Sequence, residues 1–415
     1  MGKELWLFTM RFPFGTGETF LGTELPILCA RFERVIIVPL FAEGVAREIP
    51  SNASVSVVVA DPYKPAGPFA FLRYWDSWGH MVRSMRATVP SREVYRRQWP
   101  TMRSKLRQAL RRALIVRRKL FINYDPHDVV LYSFWTADWA TVLGLLRLWD
   151  PRIRFVTRML GFDLFTFRSP DGWPALRKFH LELADRIFII SQAGVDHMKE
   201  KYPRYAHKYE LSLLATSDHG LAPWSPSPVL RLLSCSNLVA LKRVHLIAEA
   251  VTSLDIPVQW THFGDGPERA AIEAIIASRP AQCDVRLLGH CGHDELMKWY
   301  KANPTDLFLH MSSTEGGVPV ALQEAASFGI PLLAADAGGV KEIVNLTTGT
   351  LLDADPTPER IAAYLRAHVA ALHNSTAFRA GVRAWWSAHC RAEEVYGRFC
   401  DRLLAIHEAN NADPR

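Results

Sequence analysis

The chain has 415 residues, of which 49% are hydrophobic, and its formal net charge is +7. This length accommodates two ordinary hydrophobic cores, which predicts two domains. No run of about 18 apolar residues is present, so a transmembrane helix is not predicted. The six cysteines are dispersed without a Cys-x-x-Cys pair, which favours a reducing compartment over a disulfide framework, and we expect a cytoplasmic protein without a signal peptide.

A strand and a glycine-containing loop begin the chain. Residues 5–10 (LWLFTM) are an apolar run of strand length, and residues 15–25 (GTGETFLGTEL) lead from it into a helix-like segment. Gly15 and Gly17 would let this loop approach a ligand without a Cβ clash. A Gly-x-Gly pair alone is more often a plain turn, so its weight depends on the motifs that follow it.

Positive charge is concentrated between residues 83 and 119. This segment contains 13 Lys or Arg against the single acidic residue Glu93, a local charge of +12 that leaves −5 for the rest of the chain. Apolar residues recur at helical spacing and basic residues occupy the other faces, which predicts a basic amphipathic helix. The apolar positions are Met102, Leu106, Ala109, Leu110, Ala113 and Leu114, and the basic ones are Arg103, Lys105, Arg107, Arg111 and Arg112.

Such a helix has three possible roles. Beside Trp75, Trp78 and Trp99 it could lie on an anionic bilayer. We predict this contact, peripheral on the inner face of the plasma membrane, because the charge exceeds what solubility requires. The alternative is a solvated helix packed on the first domain. Nucleic acid is not predicted as a partner, since no nucleic-acid-binding motif is visible.

A Pro- and Ser-rich stretch, residues 220–228 (GLAPWSPSP), separates the two halves of the chain. Before it, residues 186–202 predict a strand and a helix. After it, residues 232–251 (LLSCSNLVALKRVHLIAEAV) predict a strand, a turn and a helix, and residues 260–268 (WTHFGDGPE) a strand ending in a Gly-x-Gly-Pro turn. We therefore predict a first domain at 1–205, a linker at 206–228, a second domain at 229–385 and a C-terminal helix at 386–415.

The sequence His290-Cys291-Gly292-His293-Asp294 contains three side chains that could bind Zn²⁺. A structural zinc site needs four ligands, and no second pair with suitable spacing is visible. The segment lies between a strand-like and a helix-like run, so His293 or Asp294 is more simply a residue at a helix start. We predict no metal site.

The most informative segment is residues 315–344 (EGGVPVALQEAASFGIPLLAADAGGVKEIV). It follows the apolar strand 307–311, places Glu315 on a loop and Glu324 in a helix closed by Gly329, and continues through the strand 331–335 to a glycine pair that opens another helix at Val340. In open α/β sheets, ligands bind beyond the carboxyl ends of the strands, where helix N-termini face anionic phosphate. Carboxylates at this edge suit sugar and ribose hydroxyls.

This segment resembles the signature of the GT-B glycosyltransferases of family 4, of the bacterial polysaccharide biosynthesis type. Residues 15–25, 186–202, 232–251 and 260–268 resemble further motifs of the family in the expected order. The resemblance implies an α/β fold with two Rossmann-like, doubly wound domains facing a central cleft and a C-terminal helix crossing back to the first. It also implies a retaining transferase that moves a sugar from a UDP- or GDP-sugar to a glycan or lipid-linked acceptor, without a metal or other cofactor.

The resemblance also implies roles for individual residues. Lys242, with Arg243 and Asn237 nearby, would hold the diphosphate, and Glu324 would hold the ribose hydroxyls. The donor sugar would lie against Glu315 and the backbone of Gly316, Gly317 and Val318, while the loop of Gly15 and Gly17 would approach the donor phosphates or the acceptor. We expect Glu315 and Lys242 to be the catalytic residues.

Three departures from the family pattern keep alternatives open. Eight residues separate Glu315 from Glu324 where the family usually has seven, Asn237 stands where many relatives carry an arginine, and Leu160 stands where they often carry a histidine near the donor sugar. Either the donor sugar is held differently or catalysis is weakened. A non-catalytic GT-B nucleotide-binding or scaffold protein, and a sugar-nucleotide epimerase or phosphorylase of the same fold, are the alternative functions.

Overall fold

A computed structural model describes residues 3–15, 17–122, 124–169, 172–370 and 375–412. The chain divides into two compact units, Met1–Ser212 with Tyr396–Arg415, and Leu213–Val395. The division falls inside the segment assigned to the linker from sequence, and Tyr209–Leu211 of that segment forms a strand of the first unit.

The first unit is built on a seven-stranded parallel sheet in the order β3-β2-β1-β4-β5-β6-β7. Its central strands are almost wholly buried, because helices cover both faces of a parallel sheet. The strands are β1 (Glu4–Thr9), β2 (Arg34–Pro39), β3 (Ala53–Val55), β4 (Val129–Ser133), β5 (Phe155–Met159), β6 (Arg186–Ile189) and β7 (Tyr209–Leu211).

Within the described ranges, seven α-helices connect these strands. They are α1 (Phe20–Arg31), α2 (Pro68–Arg73), α3 (Trp75–Arg86), α4 (Arg92–Lys119), α5 (Asp138–Trp149), α6 (Arg177–Leu183) and α7 (Gln192–Lys201). The longest, α4, begins at the Ser91 cap, whose hydroxyl accepts a hydrogen bond from Val94 N at 3.2 Å. It ends after three cations, Arg117, Arg118 and Lys119, where the helix dipole favours positive charge.

Helix α4 is the predicted basic amphipathic helix, but its apolar side is already covered. Leu106, Ala109 and Ala113 are buried in the core of the first unit. Arg112 is also buried, in contrast to its prediction as a residue of a polar face. Its guanidinium donates to Asp138 Oδ1 at 2.5 Å and to the Pro62 carbonyl at 2.8 Å. The apolar side therefore packs as the alternative interpretation of this helix expected.

The second unit contains a six-stranded parallel sheet in the order β10-β9-β8-β11-β12-β13. Its strands are β8 (Leu230–Cys235), β9 (Val258–Phe263), β10 (Cys283–Gly289), β11 (Leu307–His310), β12 (Leu332–Ala335) and β13 (Gly349–Leu352). The helices of this half are α8 (Val244–Thr252), α9 (Arg269–Ile276), α10 (His293–Ala302), α11 (Val320–Ser327), α12 (Pro358–Ala370) and α13 (Thr376–Cys390), followed by α14 (Ala392–Ala412). The predicted helix at Val340 is only a short 3₁₀ segment, Gly338–Glu342.

The last two helices, α13 and α14, pack in different units. Trp386 of α13 is fully buried in the second unit, where its indole donates to Thr216 Oγ1 at 2.8 Å. Phe399 of α14 belongs to the first unit, where its ring contacts Tyr132 and Phe188. Across the described residues, none of the helices is long and apolar enough to cross a membrane. The predicted α/β fold with two Rossmann-like parallel sheets is confirmed.

Candidate active site

A compact charged cluster lies at the carboxyl ends of β8 and β11. Lys242 Nζ donates to Glu315 Oε1 at 2.5 Å, and His310 Nε2 lies 2.9 Å from the same oxygen. Lys242 comes from the turn after β8, Glu315 from the loop after β11 and His310 from the last position of β11. Because β8 and β11 are adjacent parallel strands, their carboxyl ends bring these side chains together.

The cluster keeps Glu315 ionised. Burial alone would raise the pKa of this carboxyl group, but the His310 hydrogen bond and the Lys242 charge outweigh burial and lower the pKa to about 2. His310 is almost fully buried, which lowers the pKa of its imidazole below the ordinary value against the opposing effect of Glu315. At neutral pH the cluster therefore presents a carboxylate already paired with an ammonium group.

The Glu315 loop, residues 315–319, is held by backbone-to-backbone packing against the glycine pair. A Cβ on Gly339 would lie 2.5 Å from the carbonyl carbon of Gly317, and one on Gly338 would lie 2.2 Å from the backbone carbonyl oxygen of Glu315. Gly338 also has a positive φ of 58°. Only glycine allows this approach, so the glycine pair after β12 fixes the shape of the Glu315 loop. Gly316, Gly317 and Val318, which belong to this loop, are buried.

Arg243, predicted to hold the diphosphate with Lys242, makes contacts with several neighbouring segments. It adopts a left-handed conformation (φ 48°, ψ 39°) at the start of α8. Its guanidinium donates to the carbonyls of Met311, Ser312 and Ala354 at 2.7, 3.2 and 2.8 Å and to Asp355 Oδ1 at 2.7 Å. These contacts tie the segments after β11 and β13 to the turn after β8, so Arg243 helps to hold the shape of the site.

Asn237 lies on the same turn, between β8 and Lys242, and is exposed. Its backbone carbonyl accepts a hydrogen bond from Val239 N at 3.0 Å. The turn is joined to the Glu315 loop side of the site because Ser313 N donates to the Leu241 carbonyl at 2.8 Å. Asn237 is thus placed beside Lys242 along the chain but outside the charged cluster.

Glu324 forms a second pair, on α11. His293 Nε2 lies 2.8 Å from Glu324 Oε1, and this hydrogen bond raises the pKa of His293 above its ordinary value. Glu324 is 7% exposed, whereas the His293 side chain is 54% exposed. His219 stands next to this pair, its ring 6.4 Å from that of His293 and stacked on Phe328 at 5.9 Å. The pair therefore has an accessible imidazole next to a largely buried carboxylate.

Residues 290–294, which the sequence analysis considered as a zinc site, contribute His293 to this pair. His293 is the first residue of α10 and binds Glu324. Within the part of the chain that the structure describes, no group of three His, Cys, Asp or Glu side chains could hold a metal ion. The six cysteines are free, four of them buried.

The glycine loop of the first unit is held by two charged residues. Arg47 Nη2 donates to the Gly15 carbonyl at 2.7 Å and also binds the Gly17 carbonyl. The Glu18 carboxylate accepts from the backbone N–H groups of Met10, Arg11 and Phe12 at 2.9, 2.7 and 2.7 Å. Three successive N–H groups that could face a phosphate are therefore occupied by the chain's own carboxylate. Thr16 lies outside the described residues.

Leu160, the residue that replaces a histidine, is buried, with its backbone N–H donating to Asp163 Oδ1 at 2.8 Å. Nearby, Arg158 and Glu24 form a fully buried ion pair, Nη1 to Oε2 at 2.5 Å. The Arg158 guanidinium lies 4.5 Å from the centre of the Phe399 ring. This pair secures the interior of the first unit and is not accessible to a ligand.

Three residues at these places were missed by the sequence interpretation. His310 is the last residue of an apolar strand, His293 was considered only as a metal ligand or helix start, and Glu18 was included in the glycine loop without a role. His293 and Glu18 have partners that are remote in sequence or are backbone N–H groups, whereas His310 contacts Glu315 five residues away. The one available signal was a polar residue at a strand or helix terminus on the ligand-binding edge.

Comparison with known proteins finds similar sequences and a similar fold. Residues 226–372 match the family model described as "Glycosyl transferases group 1". A stretch of 188 residues is 29% identical to the GtfA subunit of UDP-N-acetylglucosamine--peptide N-acetylglucosaminyltransferase from Streptococcus agalactiae, covering 44% of this chain and 34% of that protein. Over 302 residues the chain is 25% identical to a GDP-mannose-dependent alpha-mannosyltransferase from Mycolicibacterium smegmatis, covering 69% and 74% of the two chains.

Among solved structures, Anabaena Alr3699/HepE in complex with UDP-glucose superposes with a TM-score of 0.64, covering 97% of this chain and 99% of that one at 14% sequence identity. Such identity shows the fold alone. The chain spans about a third of the Streptococcus agalactiae relative. Residues 226–372 thus carry the sequence pattern of the glycosyl transferases group 1, in a chain with the two-sheet α/β fold of the GT-B glycosyltransferases.

Proposed function

We propose that this protein is a retaining glycosyltransferase that moves a sugar from a UDP- or GDP-sugar to a glycan or lipid-linked acceptor in cell-surface polysaccharide biosynthesis. The observation that carries the proposal is the cluster of Lys242, Glu315 and His310 at the carboxyl edge of the second sheet. The activities of the relatives, one dependent on GDP-mannose and another on UDP-N-acetylglucosamine, support a nucleotide-sugar donor. The proposed retention of anomeric configuration rests on the resemblance of the Glu315–Glu324 segment to the family signature.

The proposed roles follow from charge and position. The Lys242 ammonium group has three N–H donors and gives one to Glu315, so the others can stabilise the negative charge that develops on a leaving diphosphate. Glu315, with the backbone of Gly316 and Gly317, would hold the donor sugar, and Glu324 would accept hydrogen bonds from the ribose hydroxyls. The departing diphosphate can itself help remove the acceptor proton. The chemistry proposed needs no metal.

A thermal-shift screen against UDP, GDP, ADP and their sugar conjugates tests donor binding. We expect one nucleotide class to raise the melting temperature of the wild type, and Lys242→Ala and Glu324→Ala to lose that shift. Lys298→Ala, at an exposed lysine of α10, is the matched control and should keep it. No shift with any compound would contradict a donor site and favour a scaffold.

Product analysis then identifies the reaction. A transferase needs an acceptor and at most hydrolyses the donor without one, whereas an epimerase converts the donor alone. Activity that survives EDTA would agree with metal-independent chemistry. Loss of activity in EDTA that Mg²⁺ or Mn²⁺ restores would contradict it.

We further propose that the protein is cytoplasmic and contacts an anionic membrane surface through residues 83–119. Because the apolar side of α4 is buried, the contact would come from its exposed cations, such as Arg103 and Lys105, and from nearby exposed aromatic rings. Phe69 and Trp75, on the helices preceding α4, are 83% and 65% exposed. These rings supply the apolar component that α4 itself does not.

Liposome sedimentation tests the membrane contact. We expect binding to vesicles containing about a third phosphatidylglycerol and weak binding to pure phosphatidylcholine, with the difference reduced by salt. The double variant Arg103→Glu/Lys105→Glu should release the protein. Lys199→Glu, at an exposed position of α7, is the control. Equal binding to both vesicle types would contradict an electrostatic contact.

A further inference from the structure

Two aromatic rings form an exposed platform at the carboxyl edge of the first sheet. Trp135 follows β4 and Phe162 follows β5, and these strands are neighbours in the sheet. The ring centres lie 4.9 Å apart, with the planes tilted by 32°. Phe162 is 49% exposed and Trp135 is partly exposed. We call these two residues the aromatic platform.

Contacts on several sides hold the platform in place. The Trp135 indole donates to Glu18 Oε1 at 2.7 Å, and the buried Phe134 ring meets Trp135 edge-on at 5.6 Å. The Asp163 carboxylate accepts from Thr136 N at 3.0 Å and from Leu160 N at 2.8 Å. Asp163 thus joins the loop of Trp135 to the loop of Phe162, so the two rings are positioned before any ligand arrives.

Burial does not explain Phe162. A phenylalanine ring stabilises a fold by leaving water, and half of this ring remains in water. Its place on the edge of a parallel sheet where ligands bind gives the exposed ring another use. Aromatic rings with one open face are common in ligand sites, where they supply apolar contact and fix orientation.

Charge decides which ligand fits. Glu18 places a carboxylate at the edge of the platform, and this carboxylate also occupies the N–H groups of residues 10–12 that a phosphate would need. A nucleotide diphosphate or an anionic lipid headgroup would have to displace Glu18 from these N–H groups and break their hydrogen bonds. A neutral pyranose ring meets no such penalty, and the C–H groups of its less polar face can pack on an aromatic ring.

We propose that the aromatic platform binds a pyranose ring of the acceptor glycan, with Phe162 as the main contact and Trp135 as its support. This proposal rests on the proposed glycosyltransferase function and names the class of acceptor: one that presents an uncharged sugar ring. Glu18 acts here as a positioning residue, because its contacts lie with Trp135 and the glycine loop.

Saturation-transfer NMR tests the platform with defined probes, the methyl α- and β-pyranosides of glucose, galactose, mannose and N-acetylglucosamine. We expect at least one to receive saturation from the wild-type protein on its ring protons. Phe162→Ala should weaken that binding by at least about fivefold, and Phe162→Tyr should preserve it. Phe167→Ala is the matched control, because Phe167 is 63% exposed and stacks on Phe165 at 5.4 Å.

The nucleotide thermal shift, measured on the same variants, separates this proposal from the proposed function. Phe162→Ala should keep the shift while losing the pyranoside signal. Saturation of no pyranoside by the wild type, equal binding by Phe162→Ala, or loss of the nucleotide shift in Phe162→Ala would each overturn the platform. Pyranoside binding through Phe162 with no nucleotide shift would instead refute the transferase and leave a saccharide-binding site.

Discussion

Replacing Glu315 with glutamine removes the charge that Lys242 and His310 share. The pKa of this carboxyl group falls from 4.5 to about 2 on folding, so the ionised group stabilises the folded state. Such a fall corresponds to about 3 kcal/mol at neutral pH. Glu315 is largely buried, so solvent screens little of this energy. We expect Glu315→Gln to lower the free energy of unfolding by about that amount at pH 7.

The pH dependence of this loss has a definite sign. Because the folded pKa lies below the ordinary value, the stabilisation is fully present above pH 4.5 and disappears as the pH falls towards 2. The difference in unfolding free energy between wild type and Glu315→Gln should therefore be the same at pH 7 and pH 6, and shrink steadily below pH 4.5.

Urea unfolding followed by circular dichroism at pH 7, 6, 4 and 3 measures this difference. Glu249→Gln, at an exposed glutamate of α8, is the control and should match the wild type within about 0.5 kcal/mol. The reasoning would be refuted if Glu315→Gln is as stable as the control at pH 7, or if its loss in unfolding free energy does not change with pH. Either result would mean that the ionised Glu315 does not stabilise the folded state.

Three further predictions concern packing, charge and titration. Gly339→Ala should destabilise the protein by about 1–3 kcal/mol and remove the nucleotide-induced thermal shift, because the new Cβ would lie 2.5 Å from the Gly317 backbone. Gly292→Ala, whose Cβ would have open space around it, is the control and should have neither effect. Glu24→Gln should lower the free energy of unfolding in urea by about 3–5 kcal/mol, because Arg158 would remain buried without its counter-charge. Adding Arg158→Met should recover part of this loss, and a double variant that is less stable than Glu24→Gln would contradict the prediction. The pKa of His293 is raised in the folded state, so His293→Ala should lose more stability at pH 5.5 than at pH 8.5 in the same unfolding assay. A larger loss at pH 8.5 would refute the pairing of His293 with Glu324.

The order of strands, turns and helices around the site could be predicted from sequence because each motif is local. The apolar run before Glu315 forms β11, and the helix formers after it form α11, which ends before Gly329. Periodicity and glycine positions carry this information within a few residues. The two-sheet α/β architecture follows from the same alternation.

Contacts between distant segments could not be predicted in the same way. Lys242 and Glu315 were each selected, but as ligands of different parts of the donor, and the sequence did not indicate that they pair with each other across 73 positions. The basic helix shows the same limit. Its amphipathic pattern is real, yet the pattern is identical whether the apolar side meets lipid or the core of the first unit, and the structure places it in the core.

Arg243 shows how backbone conformation can separate two adjacent cations. Lys242 ends a 3₁₀ turn and Arg243 takes a left-handed conformation, which costs a residue with a Cβ roughly 1–2 kcal/mol. Four hydrogen bonds to segments after β11 and β13 offset this cost. The reversal at Arg243 sends its side chain into those walls while Lys242 reaches Glu315. One cation therefore holds the shape of the site, and its neighbour, 22% exposed and paired at 2.5 Å, supplies the charge that a diphosphate would meet.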